Sequence, residues 1–328
     1  MLTLEDRQKY DMKNKKISAI IACYKDAQAI PIMHERLTKT FNKIGVDYEI
    51  IFVNDGSPDD TEKVLTKLVN KDGHVIAINH SRNFSSQMAF TSGMDIAQSD
   101  AVVLLDGDLQ DPPELIEKFY TKWKQGYDVV YGIRTKREAP LYMAVSYKLF
   151  YRLFHKMSYI KIPLDAGDFS LIDRRVVEVL KTFPERDRFL RGLRAWVGFR
   201  QTGIPYIRPE RMFGKTTNSL MRNISWATKG ILSFSYVPLQ IITIISFVVF
   251  LIALFAIITQ IVLRFLLPNI PHGTTTILIA VLFIGAIQLL GISVLGEYIG
   301  KIFEEVKQRP KYIVKSIIKK SYGAKKKI

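Results

Sequence analysis

The chain has almost no cysteine: Cys23 stands alone among 328 residues. That excludes an internal disulfide or a cysteine-built metal cluster, and it is consistent with a reducing compartment. No internal repeat is visible, and low complexity is confined to the Lys-rich last few residues, which read as disordered. The first fifteen residues are polar and charged, so no signal peptide is expected. Acidic residues are scarce, 31 against 47 Lys and Arg, which leaves a net charge of +16. Charge is missing altogether from two runs, Val237 to Leu263 and Thr274 to Gly296.

Those two runs organise the chain. At about 1.5 Å per helical residue each exceeds the roughly 30 Å hydrocarbon core of a bilayer. A core helix is seldom apolar on every side over such a length, so two transmembrane helices are expected. The segment from Lys301 to Ile328 carries ten Lys or Arg against Glu304 and Glu305, a net of eight positive charges. Lys and Arg beside a span face the cytosol, which places both termini and everything before the first span on that side. Anionic headgroups attract such charges by roughly 1 kcal/mol each, so the partner of the basic excess is a membrane surface and not a nucleic acid. Leu141 to Ile160 mixes aromatic and aliphatic residues with Lys148, Arg152, His155 and Lys156, as an interfacial helix does; a helix packed on a sheet fits it equally well. Arg208 to Lys229 is a further basic stretch, and Trp226 and Tyr236 suit an aromatic belt.

Before the spans, apolar runs alternate with amphipathic stretches. Ile17 to Ala22, Tyr48 to Asn54, Val75 to Asn79, Ala101 to Asp106 and Asp128 to Ile133 read as buried strands, and the segments between them as helices. Alternation of this kind predicts a Rossmann-like α/β domain with a mostly parallel sheet, whose ligand crevice lies at the carboxyl ends of the strands. Ser57, Pro58 and Asp60 read as an N-cap, a first-turn proline and an acidic third residue, and Asp111 with Pro112 starts the next helix similarly.

The sharpest chemical signal is Asp106-Gly107-Asp108-Leu109-Gln110-Asp111, directly after the run Val102 to Leu105. Two carboxylates one residue apart at a strand end offer hard oxygens suited to Mg²⁺ or Mn²⁺ bound together with substrate phosphates. A solvated turn with a capping Asp is the plainer alternative. A calcium loop is excluded, because its sixth-position glycine is Asp111 here and Pro112 and Pro113 follow. Asp55, in Asn54-Asp55-Gly56-Ser57, can accept hydrogen bonds from a nucleobase or ribose, although such a turn is ordinary by itself. Tyr24 and Asp26 follow the first strand into the same crevice, and Arg134 follows the fifth as a forked diphosphate ligand.

Taken together, Tyr24 to Asp26, Asp55-Gly56-Ser57, Asp106 to Pro112 and Gly167-Asp168-Phe169 resemble family 2 glycosyltransferases. The resemblance runs from about Lys16 to Pro310. The string Asp-Gly-Asp-Leu-Gln-Asp-Pro-Pro-Glu-Leu ahead of two spans is similar to the polyprenyl-phosphate branch, which holds dolichol-phosphate mannose synthase and the bactoprenol glucosyltransferases. It implies a GT-A nucleotide-diphospho-sugar transferase domain over 16–215, after an N-terminal segment at 1–15. A juxtamembrane amphipathic region at 216–236, transmembrane helices at 237–263 and 274–298, and a basic cytosolic tail at 299–328 would follow.

The resemblance also implies roles. Asp106 and Asp108 would face the donor diphosphate and its metal, with Asp108 and Gln110 as the ligands. Asp55 and Asp26 would contact the nucleoside, and Arg134 and Arg211 would clamp phosphates of donor or acceptor. Lys215 is the nearest match to the family's phosphate lysine near Thr217, and Arg309, before Pro310, is a further contact for lipid phosphate. Asp168 would lie nearest the reacting carbon, as weak base or as orienter. This sequence departs from the pattern at Ala22 for proline, Lys25 for asparagine, Asp26 for glutamate and Ser85 for glycine.

The implied reaction moves a hexose, glucose from UDP-glucose by resemblance, onto undecaprenyl or another polyprenyl phosphate at the bacterial inner membrane. A phosphate monoester has a second pKa of about 6 and is already an anionic nucleophile, so a single in-line displacement with inversion is expected. The competing readings are a mannose-type synthase using GDP-mannose, a processive polysaccharide synthase, and a catalytically silent assembly subunit. The processive synthase is disfavoured because Arg191 to Trp196 lacks the Gln-x-x-Arg-Trp spacing. Related enzymes can assemble through their spans and tails, which makes a homo-oligomer compatible with the reading.

Overall fold

The computed structural model describes residues 15–135, 166–213, 234–266 and 273–320. The expected interfacial helix at 141–160, Lys215 and Trp226 lie outside those residues. The described chain divides into two units: 15–135, 166–213 and 309–320 form one, and 234–266 with 273–308 form the other.

Strands of the first unit arise where apolar residues run uninterrupted, because a sheet covered on both faces needs no polar alternation. β1 (Lys16–Cys23), β2 (Asp47–Asn54), β3 (Val75–His80), β4 (Ala101–Asp106) and β5 (Val129–Arg134) match the five expected strands to within a residue or so at each end. β6 (Ala166–Asp173), β7 (Gln201–Tyr206) and β8 (Val314–Lys319) complete a single sheet of order β7-β5-β6-β4-β1-β2-β3-β8. β1 pairs parallel with both β2 and β4, and β2 pairs parallel with β3. β6 is antiparallel to β4 and to β5, and β8 is antiparallel to β3. The sheet is therefore mixed, and the stretch expected to be only a basic tail supplies its edge strand.

Helices cover both faces. α1 (Ile30–Ile44) has Pro31 in its first turn, buries Ile30, Met33, Leu37 and Phe41 at helical spacing, and stops where Gly45 turns left-handed at φ 74°. α2 (Thr61–Lys71) buries Leu65 and Val69. α3 (Ser86–Ile96) is buried along most of its length, and Gly93 lets it lie on Ile20: a Cβ there would come within 2.3 Å of that side chain. A short 3-10 turn (Pro113–Leu115) leads into α4 (Ile116–Lys124), whose Phe119 packs on Phe169 of β6 at 4.8 Å between ring centres. α5 (Arg174–Thr182) is capped by Asp173, which accepts from the Arg175 N–H, and α6 (Leu190–Trp196) follows.

Two expected helix starts are corrected. α2 begins at Thr61, not beside Ser57, because the Ser57 hydroxyl is spent on Asp59 at 2.5 Å and Asp59 also takes the Thr61 N–H and hydroxyl. Asp111 does not cap the helix after it: its carboxylate is buried and receives the Tyr206 hydroxyl at 2.8 Å.

The second unit holds α7 (Val237–Leu266) and α8 (Thr274–Val306), about 45 and 50 Å long at the α-helical rise. Val237–Thr259 and Ile279–Val306 are long and apolar enough to cross a membrane, and their side chains are largely exposed. The Tyr298 hydroxyl donates to the Ser235 carbonyl at 2.7 Å.

Ser85 precedes α3 at φ 83° and ψ 158°, a region that only glycine adopts without strain. Such a conformation costs of order 1–3 kcal/mol in a residue with a Cβ, against about 0.5–1 kcal/mol for the extra freedom of glycine in the unfolded chain. Ser85→Gly should therefore raise the melting temperature by about 2–4 °C; an unchanged or lower value in a thermal melt would remove the strain.

Candidate active site

β1, β2 and β4 end side by side at the point where the strand order reverses, and the acidic residues stand at those ends. Tyr24 is exposed, and its N–H donates to Asp26 Oδ2 at 2.9 Å. Burial raises the Asp26 carboxyl to about 6 against that bond, with the charge of Asp108 adding to the rise. Asp55 is buried, and its N–H donates to the Cys23 carbonyl at 3.0 Å, which ties the tip of β2 to that of β1. Gly56 follows at φ 62° with no room for a Cβ, which would stand 2.3 Å from the Arg82 backbone.

β4 delivers Asp106 and Asp108 into the same crevice. Between them Gly107 passes close to β1, where a Cβ would lie 2.9 Å from the Ala22 carbonyl and 3.0 Å from Asp26 Oδ2. Leu109 is left-handed at φ 63° with its side chain buried, a costly state for a bulky residue that turns the loop back so that the Gln110 N–H donates to Asp108 Oδ1 at 3.1 Å. The acidic crowding is met by cations from the loop after β7. Arg208 lies between the two carboxylates, 3.7 Å from Asp106 Oδ2 and 3.8 Å from Asp108 Oδ2, and Arg211 donates to Asp108 Oδ2 at 3.1 Å. Burial, and then the charges of Asp111, Asp108 and Asp168, raises the Asp106 carboxyl well above the ordinary range, while Arg208 opposes the shift.

The antiparallel register of β6 on β4 pairs Leu104 with Ser170, so two residues further on it sets Asp168 beside Asp106. Asp168 Oδ2 receives the Gln87 amide at 2.9 Å and Arg191 at 3.4 Å, while Oδ1 is buried without a partner. Gln87 is held in turn by the Leu190 N–H, which donates to its Oε1 at 2.8 Å. Behind them Arg194 donates to the Gly167 carbonyl at 3.2 Å, and burial lowers its guanidinium to about 10.

Arg134, expected to clamp a diphosphate, donates to the Tyr206 hydroxyl at 3.4 Å, and the charge of Asp111 counters its burial and raises its pKa. Arg211, expected on phosphate, is engaged with Asp108. Arg309 is exposed on the stretch leading to β8. The structure thus brings Asp26, Asp106, Asp108, Gln110, Asp168 and Arg211 to one crevice. Gln87, Arg191, Tyr206 and Arg208 are participants that motif reading missed. Only Arg208 carried a signal, as the first residue of a basic stretch.

The donor set fits a hard divalent cation. Asp108 and Gln110 would hold such an ion beside Asp106: Arg208 lies between the two carboxylates, and the Gln110 amide nitrogen donates to the Pro209 carbonyl at 3.1 Å, which leaves its Oε1 as an acceptor. Among the described residues no three His, Cys, Asp or Glu side chains form a ready-made ion site. An ion here would therefore share oxygens with a bound phosphate.

These raised carboxyls predict a pH dependence. Without divalent cation, Asp26 keeps its proton in the native state from ~4, where an unfolded carboxyl loses it, up to about 6, and Asp106 keeps its own higher still. The native state then binds more protons than the unfolded one, so stability falls as pH rises through that window. Thermal melts in chelator should show the fall, and Asp106→Asn should flatten its upper part; a melting temperature that climbs with pH there would count against the assignment.

Comparison with known proteins agrees with this architecture. The family model described as "Glycosyl transferase family 2" matches residues 18–181. The "Prophage bactoprenol glucosyl transferase homolog" of Escherichia coli K12 is 38% identical, covering 93% of this chain and 100% of its own length. The "Bactoprenol glucosyl transferase" of Shigella phage SfII is 38% identical over 92% of this chain and 97% of its own, and the "Uncharacterized glycosyltransferase YkcC" of Bacillus subtilis is 39% identical over 94% and 95%. On these sequence matches the chain belongs to glycosyl transferase family 2 and is a glycosyltransferase of the branch that holds the bactoprenol glucosyl transferases.

Proposed function

We propose that this enzyme transfers a hexose from a nucleoside diphosphate donor to a polyprenyl phosphate, with inversion at the anomeric carbon, and that the donor is UDP-glucose. The observation that carries the reading is the juxtaposition of two carboxylates flanking a cation, Arg208, with a buried carboxylate oxygen, Asp168 Oδ1, that has no partner. The first arrangement suits a cation and a diphosphate, and the second suits a ligand group that arrives only with substrate. The bactoprenol glucosyl transferases named above support glucose and a polyprenyl acceptor, and two helices able to cross a membrane suit a lipid substrate.

Asp106, Asp108 and Gln110 would hold Mg²⁺ or Mn²⁺, which would neutralise charge on the departing diphosphate. Asp55 and Asp26 bind the nucleoside, Asp55 as an acceptor and Asp26 once ionised above about 6. Arg208 and Arg211, which now face the carboxylates, would serve phosphate oxygens when the donor is bound, where a planar guanidinium fork is at its strongest. The acceptor phosphate needs no strong base, because it is anionic near neutral pH. Asp168, fixed by Gln87 and Arg191, orients the sugar and keeps the acceptor in line with the anomeric carbon. Lys215 and Arg309 are assigned to acceptor phosphate. The chain is read as an integral protein of a bacterial inner membrane with its catalytic unit and termini in the cytosol, as the positive charge after the second span argues.

Asp168→Asn should lower kcat by about 10²–10⁴-fold, the range of a positioned carboxylate, and leave the Kd for UDP nearly unchanged. Wild-type turnover in that variant would remove Asp168 from the reaction. In membranes supplied with radiolabelled UDP- and GDP-sugars and undecaprenyl phosphate, label should enter the lipid extract from UDP-glucose as a β-linked product, and an α-linked product would rule out inversion. Asp108→Ala should abolish transfer at any Mn²⁺ or Mg²⁺ concentration; transfer that persists in chelator would end the metal assignment.

A further inference from the structure

One buried group near the crevice is unused by the mechanism above. His80 ends β3 and is 2% exposed. Its Nδ1 lies 2.8 Å from Asp55 Oδ1 and its Nε2 lies 2.9 Å from Ser92 Oγ. Because an ionised carboxylate has no proton to give, Nδ1 is assigned as the donor. The Phe84 N–H donates to the same Oδ1 at 2.8 Å. Both hydrogen bonds to the Asp55 side chain therefore fall on one oxygen, which fixes the carboxylate plane and leaves Oδ2 to accept from a ligand.

The imidazole is itself fixed from the far end of the chain. Tyr312, two residues before β8, stacks on it at 5.4 Å between ring centres and 15° between planes, and Phe84 meets it edge-on at 5.8 Å. The Tyr312 hydroxyl donates to Asp95 Oδ2 at 2.6 Å. The backbone beside it is tied as well: the Ser81 N–H donates to the Ile313 carbonyl at 3.0 Å, and His80 pairs with Val314 in the ladder. The ring thus sits between α3, which carries Ser92 and Asp95, and the strand that follows the second apolar helix.

We propose that His80 is a positioning residue for the donor nucleoside, holding Asp55 in its ligand-accepting orientation, and that Tyr312 holds His80 in turn. The proposal rests on the reading that Asp55 contacts the nucleoside. A buried His–Asp pair can also be merely structural, and the two roles separate in what they change. A positioning role weakens nucleotide binding through Asp55 alone, so its effect vanishes once Asp55 is altered; a structural role lowers stability without that dependence.

The test measures the Kd of UDP, with Mn²⁺ present, on the full chain in detergent. Asp55→Asn should weaken it by tenfold or more. His80→Leu should weaken it by a similar factor, and the double variant should be no worse than Asp55→Asn alone. Tyr312→Ala should weaken it severalfold, whereas Tyr312→Phe, which keeps the stack and loses only the hydroxyl, should stay within twofold. In the transfer assay the His80 and Tyr312→Ala variants should raise KM for the donor and hold kcat. Where His80→Leu does not fold, Tyr312→Ala and His80→Ala carry the same comparison. ¹⁵N spectra of the wild type should show the His80 Nδ1 protonated. If Asp55→Asn weakens UDP binding while the His80 and Tyr312 variants leave it unchanged, or if the double variant is additive, the proposal is overturned and the nucleoside reading stands. If Asp55→Asn itself leaves the Kd unchanged, the nucleoside reading fails and takes the proposal with it.

Discussion

Like charge crowded at the tips of β1, β4 and β6 is the constraint on which the rest of the crevice depends. Asp26, Asp106, Asp108, Asp111 and Asp168 cannot all ionise in one partly desolvated cleft unless positive charge accompanies them. The fold supplies that charge in two ways. Asp111 is partnered by Tyr206 and Arg134, and Asp168 by Arg191. Asp106 and Asp108 are met by Arg208 and Arg211, which sit on a loop and are 24% and 30% exposed in their side chains. The first set is built into strands and helices. The second sits on a loop, so under the proposed function Arg208 and Arg211 are the cations that would exchange Asp106 and Asp108 for phosphate, while Asp168 keeps one oxygen for the sugar.

The five strands with uninterrupted apolar runs were legible because a doubly covered sheet leaves a strong local signal. The two long apolar helices were legible in their uncharged runs, and both extend beyond the expected 237–263 and 274–298, α7 to Leu266 and α8 to Val306. β7 and β8 were not. Gln201–Tyr206 is short and carries Pro205, and Val314–Lys319 is one-third lysine on an exposed edge, so neither resembles a core strand until its partner is known. The Asp106 loop and Asp168 were legible through the family pattern, and β6 placed them together through a register that no local pattern reveals. Gln87 looks like any polar residue in a helix; what makes it part of the site is Leu190, 103 residues away.

Two departures from the family pattern have a shared geometric meaning. Lys25 replaces an asparagine and Ser85 a glycine, and the two positions have φ of 63° and 83°. Asparagine and glycine are the residues that tolerate a left-handed backbone best. This chain takes a positive φ at both positions with less suitable residues, which means the surrounding contacts impose it. The Lys25 N–H bond to Ser57 Oγ at 2.8 Å and the Ser85 N–H bond to Asn83 Oδ1 at 3.1 Å are the local restraints that do so.

β8 also bears on how the molecule is made. Asn79 and Ser316, joined by a hydrogen bond across β3 and β8, are 237 residues apart. At roughly 5–20 residues per second, a ribosome needs some tens of seconds to travel between them. For all that time the edge of β3 is an open template for any passing strand. Both apolar helices must also be synthesised within the same interval. The sheet therefore closes only after both apolar helices have left the ribosome, so the pairing of β8 on β3 comes last in the order of assembly.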